Sequence, residues 1–192
     1  MHSKIVLASQ SPRRKQLLEM AEISFEIIIA DVDETNPPGM PGDDVPEFLA
    51  RKKADAVSHM VHDAIVIAAD TVVLLDHHIL GKPVDEANAI EILRQLSGRM
   101  HKVVSGVCIR KNDHEVCFSV VTEVYFRTLS EEQIRHYVTR YKPYDKAGAY
   151  AIQEFGDMLI EKIEGPLDNV VGLPCDKLRT ALNACGFFTC NQ

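Results

Sequence analysis

The sequence has no tryptophan, no long apolar run and no excess of basic residues. Its apolar stretches are of strand length, well short of the ~20 residues a membrane-crossing helix needs, so no membrane association is predicted. The opening residues MHSKIVLASQSPRR pair a short apolar stretch with arginines that follow it, the wrong order for a secretory signal. A net charge of -7 removes the electrostatic basis of duplex binding, and no direct nucleic-acid partner is expected. Local basic clusters at Arg13, Arg14 and Lys15 and at Arg51, Lys52 and Lys53 still leave room for a small anion. The five cysteines, Cys108, Cys117, Cys175, Cys185 and Cys190, form no C-x-x-C pair and no spacing suited to zinc. Reduced, mostly buried thiols in a cytoplasmic protein are expected. No repeat, low-complexity tract or long linker interrupts residues 1–192, which are read as a single domain burying roughly 70% of its unfolded surface.

What is present centres on Ile65 to Val73, IVIAADTVV. An apolar run ends on Asp70, and a second begins after Thr71. The first run predicts a buried strand with Asp70 at its end. Such an acid either caps the following turn or is a working carboxylate at the mouth of an α/β sheet, where ligands gather.

Around it the chain alternates strands and helices. Lys4 to Ala8 predicts a strand, and Ser11-Pro12 opens a helix through about Met20, with serine as the cap and proline in the first turn. Arg13 and Arg14 oppose the dipole of that first turn; a bound polyphosphate or a plain solvated turn would each account for them. Phe25 to Ala30 predicts a strand running into Asp31-Val32-Asp33-Glu34-Thr35 and a Pro/Gly-rich loop. Asp44 caps a helix bearing Lys53, and a turn at His77-His78 precedes Gly81-Lys82-Pro83. Glu86 to Leu96 is an amphipathic helix. His101 to Arg127 is a long β-hairpin, and Ser130 with Gln133 is a capping box opening a helix to about Tyr141. Met158 to Ile163 predicts a strand, 168–174 a loop, and Asp176 to Ala184 a final helix.

Taken together, Ser9-x-Ser11-Pro12-Arg13-Arg14, Glu34-Thr35, Lys53-Ala54, Ala68-Ala69-Asp70-Thr71-Val72-Val73, Gly81-Lys82-Pro83, Ser97-Gly98-Arg99-x-His101, Asp145 to Gln153 and Asn169-Val170-Val171-Gly172-Leu173-Pro174 resemble the Maf family of nucleoside triphosphate pyrophosphatases. The motifs run in order through nearly the whole chain. The resemblance implies a mixed α/β sheet in a two-lobed, inosine-triphosphatase-like (Maf/Ham1) architecture with a central cleft, and a homodimer. It implies hydrolysis of nucleoside triphosphates to monophosphate and pyrophosphate with a divalent cation, Mg or Mn. By the family's motifs Asp70 is the proton acceptor, and Arg13, Thr71 and Gln153 mark the branch acting on dTTP and UTP. Ser9, Arg13, Lys53 and Lys82 would face phosphate, with Glu34 and Asp70 toward the metal. Departures fall at Lys142-Pro143, Ser105 and Gly165-Pro166-Leu167-Asp168, where the family carries other residues.

Two rival readings follow from the same residues. One is a non-catalytic nucleotide sensor or division regulator. The other takes Asp31 and Asp33 as the D-x-D nucleophile motif of a haloacid-dehalogenase-type phosphatase, which also needs a lysine and a later acidic pair at another strand end.

Overall fold

The computed structural model describes residues 4–154 and 156–186; Cys190 lies outside them. The core is a seven-stranded mixed sheet in the order β2-β1-β3-β5-β6-β7, with β4 on β3. The strands are β1 (Lys4–Leu7), β2 (Glu26–Ile27), β3 (Ala64–Leu75), β4 (His78–Leu80), β5 (Met100–Lys111), β6 (His114–Phe126) and β7 (Ile160–Glu164). The helices are α1 (Pro12–Met20), α2 (Val45–Ser58), α3 (Glu86–Leu96), α4 (Glu131–Tyr141), α5 (Gly156–Leu159), α6 (Leu167–Val171) and α7 (Cys175–Ala184). Among the described residues no helix is long and apolar enough to cross a membrane.

The strand β3 changes partners along its length. Its first part pairs in parallel with β1, from Lys4↔Ala64 to Leu7↔Ile67, and its last part pairs antiparallel with β4, from Val73↔Leu80 to Leu75↔His78. On the other side β5 accompanies it from Val66↔Arg110 to Leu74↔Lys102. Between Ile67 and Val73, therefore, one side of β3 has no strand beside it among the described residues. The expectation that the strand ends at Asp70 is corrected: the backbone runs straight through, because Asp70↔Gly106 and Thr71↔Ser105 continue the ladder with β5.

Side chains alternate across a strand, and β3 shows what that does. Ile65, Ile67 and Ala69 pack with Leu18, Leu178 and Leu182 of α1 and α7. Farther along the same face, Val73 and Leu75 pack with Leu93, Leu96, Tyr137 and Val138 of α3 and α4. The opposite face is covered by α2 through Ala50, Ala54 and Val57 against Val66 and Ala68. Two apolar lobes thus share one strand, and the cleft opens between them where β1 has ended and β4 has not begun.

Glycine sets how α2 lies on the sheet. A Cβ on Gly106 would stand 2.2 Å from the Glu47 backbone nitrogen and 2.3 Å from the Pro46 carbonyl carbon. Only a residue without a side chain lets the first turn of α2 rest on β5 opposite Asp70.

Other expectations are shifted by tertiary pairing. The second strand shrinks to Glu26–Ile27, which pair in parallel with Val6 and Leu7. Gly156–Leu159 is a helical turn before β7 begins at Ile160, and the presumed loop at 168–174 contains α6. The turn before β4 is bent at Asp76, with φ 57°, and His78 already belongs to the strand. Asp44 stands at the start of α2 without a side-chain cap hydrogen bond. The Ser130–Gln133 capping box forms as expected. Among the described cysteines all four are free thiols, and only Cys108 is buried; the other three are half-buried.

Candidate active site

A cleft of about 730 Å³ opens beside the unpaired stretch of β3. Ser9, Arg13, Glu34, Lys53, Asp70, Thr71, Lys82 and Gln153 all line it. They come from the turn after β1, α1, the acidic loop, α2, β3 and two later loops, so the sheet gathers residues far apart in the chain.

Asp70 lies on the face covered by α2, and Lys53 reaches it from that helix. The Lys53 ammonium is 2.6 Å from Asp70 Oδ1 and 3.0 Å from Glu34 Oε1. The Lys53 and Asp70 side chains are 16% and 13% exposed, so the pair is shielded while remaining open to the cleft. A carboxylate here would be costly without a partner; α2 supplies one.

Thr71 faces the other way. Its hydroxyl lies 2.8 Å from Ser105 Oγ and accepts a bond of 3.1 Å from Arg14 Nη2. Arg14 also donates through Nη1 to Ser9 Oγ at 3.1 Å and through Nε to the Gly172 carbonyl at 2.9 Å. Burial lowers the Arg14 pKa against the opposing pull of Asp70, yet a guanidinium remains charged at any physiological pH. Ser105 donates onward to the Asn169 carbonyl at 3.1 Å, and the buried Asn169 amide donates to Val103 O and to Thr122 Oγ1. The network accounts for the arginine that seemed misplaced in the first turn of α1. Sequence reasoning noted both arginines against the helix dipole but gave a site role to Arg13 alone, and neither of the reasons it weighed, a polyphosphate or a solvated turn, was this network.

Arg13 occupies a looser position, with its guanidinium 3.5 Å from Asp145 Oδ2. Lys146 is 8% exposed and binds Asp145 Oδ1 at 2.8 Å and Glu154 Oε1 at 3.5 Å. Burial raises the Asp145 pKa, but the Lys146 hydrogen bond and charge outweigh it and hold the carboxyl below its ordinary value. Lys82 is exposed and, among the described residues, has no acidic partner. Gly148, with φ 70°, lets the neighbouring loop close over Val73, whose side chain a Cβ would approach within 2.9 Å. The Gly148 N–H donates to the Gly81 carbonyl at 3.2 Å, which fixes the segment before Lys82. Gln153 follows Tyr150 and Ala151, which are anchored at His101 Nε2 and Tyr137 Oη by bonds of 2.7 and 3.0 Å.

The cleft is rich in charge: Arg13, Arg14, Lys53, Lys82 and Lys146 face Asp31, Glu34, Asp70 and Asp145. Among the described residues no cysteine or histidine lines it, and its serines have no basic partner of the kind that activates a hydroxyl. Such a site suits a polyanion attacked by water. Of the D-x-D reading only Asp31 reaches the cleft; the rest of that motif does not assemble. Asp33 is exposed and accepts the Thr35 N–H at 2.9 Å, Asp43 and Asp44 stand at the start of α2, and the sheet is mixed.

Comparison with known proteins agrees with the architecture. The model of a family described as Maf-like protein matches residues 4–185. A dTTP/UTP pyrophosphatase of Porphyromonas gingivalis is 48% identical over 188 residues, covering 95% of this chain and 94% of that protein. Another of the same name from Bacteroides fragilis is 45% identical over 178 residues, covering 91% and 92%. Among solved structures, a Ham1 protein of Staphylococcus aureus shares the fold with a TM-score of 0.57 at 17% identity, covering 94% of this chain and 98% of its own.

Proposed function

The chain belongs to the Maf-like protein family, and from that premise we propose that it is a nucleoside triphosphate pyrophosphatase acting on dTTP and UTP. The observation that carries this reading is the Lys53 ammonium held between Asp70 and Glu34 in a cleft ringed by cations. Water is added across the α–β phosphoanhydride, giving the nucleoside monophosphate and pyrophosphate. Asp70 takes the proton of the attacking water. Lys53 holds that carboxylate in place, and its ammonium also offsets the negative charge of the substrate's phosphates. Arg13, Lys82 and Ser9 complete the phosphate contacts, and Arg14 keeps the wall bearing Ser9 and Thr71 rigid. Thr71 and Gln153 bound the space left for the base, a pyrimidine.

Glu34 and Asp70 present oxygen donors on either side of Lys53, a set that fits Mg²⁺ or Mn²⁺. When bound, such an ion supplies further neutralisation of triphosphate charge. The same proposal treats residues 1–192 as one working domain, since the cleft draws on segments from Ala8 to Gly172. It places the protein in the cytoplasm with its substrates, and takes it as a homodimer, which sedimentation would verify.

A substrate panel with Mg²⁺ or Mn²⁺ tests the activity. Equal amounts of UMP and pyrophosphate from UTP, with dTTP cleaved alike and purine triphosphates poorly, are expected. Release of single phosphate would refute the bond assignment, and UTP recovered intact would favour a sensor.

A further inference from the structure

The described residues hold a second reactive cluster, away from the cleft. Cys108 and Cys117 are direct partners in the β5–β6 ladder, and both side chains lie under α2 with Ala50, Ala54 and Val57. Topology, not sequence spacing, brings them together. We propose that this pair is a site of reversible oxidation, a cross-strand dithiol that closes to a disulfide.

Geometry brings the two side chains close enough that a small inward shift closes the bond. Residues directly opposite in an antiparallel pair hold their Cβ atoms ~4.5–5.5 Å apart, and a disulfide needs ~3.5–4.5 Å. The two sulfurs already lie within 4.8 Å of each other. The roles are divided by burial: Cys117 is half-buried and accessible to an oxidant, whereas Cys108 is buried behind it. Charge divides them the same way. The Cys108 thiol donates to the Cys117 sulfur and the Arg51 guanidinium donates to it as well, which lowers the Cys117 pKa despite burial. The Cys108 thiol is pushed up by the same hydrogen bond and by burial.

With hydrogen peroxide as oxidant, the Cys117 thiolate attacks a peroxide oxygen. The S–O bond forms, the O–O bond breaks, and hydroxide leaves and takes up a proton as water. Sulfur has lost two electrons and the peroxide has gained them. Cys108 then gives up its proton and attacks the Cys117 sulfur. The S–S bond forms, the S–O bond breaks, and the departing hydroxide is protonated to a second water. A thiol reductant reverses the result by exchange.

Glu115 lies within the same 4.8 Å of both sulfurs, so a borderline divalent cation is the competing occupant. Its carboxylate is already engaged, however, by Arg51 at 2.9 Å and by Arg110 at 3.5 Å. A cation would have to displace both arginines from that carboxylate, whereas oxidation gives up only the Arg51 hydrogen bond to the Cys117 sulfur.

The test treats the full chain with a modest excess of hydrogen peroxide, denatures it, alkylates the remaining thiols and maps peptides without reduction. A Cys108–Cys117 linked peptide that disappears with dithiothreitol is expected. In Cys108→Ser, a sulfenic acid at Cys117 should be trapped by dimedone; in Cys117→Ser, Cys108 should stay alkylatable. The proposal is overturned if peroxide leaves both thiols alkylatable in the wild-type chain or if the linkage engages Cys175, Cys185 or Cys190. It is also overturned if Zn²⁺ protects both thiols from peroxide and Co²⁺ gives a thiolate charge-transfer band. The wild-type map is read independently of how well either variant folds.

Discussion

The close approach of α2 to β5 yields a quantitative prediction for Gly106→Ala. The new Cβ would lie 2.2, 2.3 and 2.5 Å from Glu47 N, Pro46 C and Glu47 Cα. All three are backbone atoms, so no rotamer change relieves the overlap. Ordinary carbon contacts lie at ~3.5–4.0 Å, so the first turn of α2 must retreat by about 1–1.5 Å. Overpacking of this kind costs ~1–3 kcal/mol, and a backbone clash belongs at the upper end. At ~2–4 °C per kcal/mol for a chain of this size, the melting temperature should fall by about 6–12 °C. The same retreat pulls Lys53 away from Asp70, where the pair now stands at 2.6 Å. A displacement near 1 Å can cost on the order of a hundredfold in rate, so kcat/KM for UTP should drop between about ten- and a hundredfold at a temperature where the variant is fully folded. Scanning calorimetry and pyrophosphate release measure the two effects. Gly81→Ala, where a Cβ meets nothing within 4 Å, is the stability control and should melt with the wild type or slightly above it. A Gly106→Ala protein that melts and turns over like the wild type would refute the role given to this glycine.

Asp70→Asn should lower turnover on the order of a hundredfold or more while circular dichroism shows a retained fold; near-normal turnover would remove Asp70 as the base. Arg14→Lys replaces a fork that serves Ser9, Thr71 and Gly172 with a single point charge, and should cost about 1–3 kcal/mol of stability in urea unfolding. Asn169→Ala strips the donors from Val103 O and Thr122 Oγ1, and an effect below roughly 1 kcal/mol would show those acceptors to be satisfied by water. Burial holds the His101 pKa down at about 3, from an ordinary 6.5. Between those values the unfolded chain binds a proton that the folded chain refuses. Stability should therefore fall as pH drops from 6.5 toward 3, by up to ~1.4 kcal/mol per pH unit; His101→Gln should flatten that profile, and an unchanged slope would contradict it.

Elements with local signals were legible in the sequence. The stripe of α3, the capping box of α4, the Ser11-Pro12 start of α1 and the β5–β6 hairpin each carry their instructions within a few residues. Elements set by distant partners were not. β2 is confined to the two residues that pair with Val6 and Leu7 of β1, although the apolar run from Phe25 to Ala30 is longer. The site residues were legible as a set of motifs, but not their connections. Arg14 joins Gly172, 158 positions away, and Thr71, 57 positions away; no periodicity in α1 encodes either partner. The cysteine pair was within reach of the sequence, since the predicted hairpin turn at 111–114 already sets Cys108 opposite Cys117, but a search for metal-type spacing does not register a cross-strand pair.

The continuity of β3 through Asp70 matters more than a strand end there would have. In a continuous strand neighbouring side chains are forced to opposite faces, so Asp70 is committed to the α2 side and Thr71 to the side of α1 and α6. Lys53 meets the first and Arg14 the second. If the strand stopped at Asp70, Thr71 would fall in a turn, and nothing would hold its hydroxyl between Arg14 and Ser105. Two distinct walls, one carrying the acid and one the arginine network, are thus set by a single step of backbone. What joins them into one cleft is the missing neighbour: β1 pairs only as far as Leu7↔Ile67 and β4 begins at Val73↔Leu80. A substrate entering through that gap meets both faces of the sheet at once. Extending β1 past Ala8 to pair with β3 would close the gap and separate Asp70 from Thr71 without altering either residue.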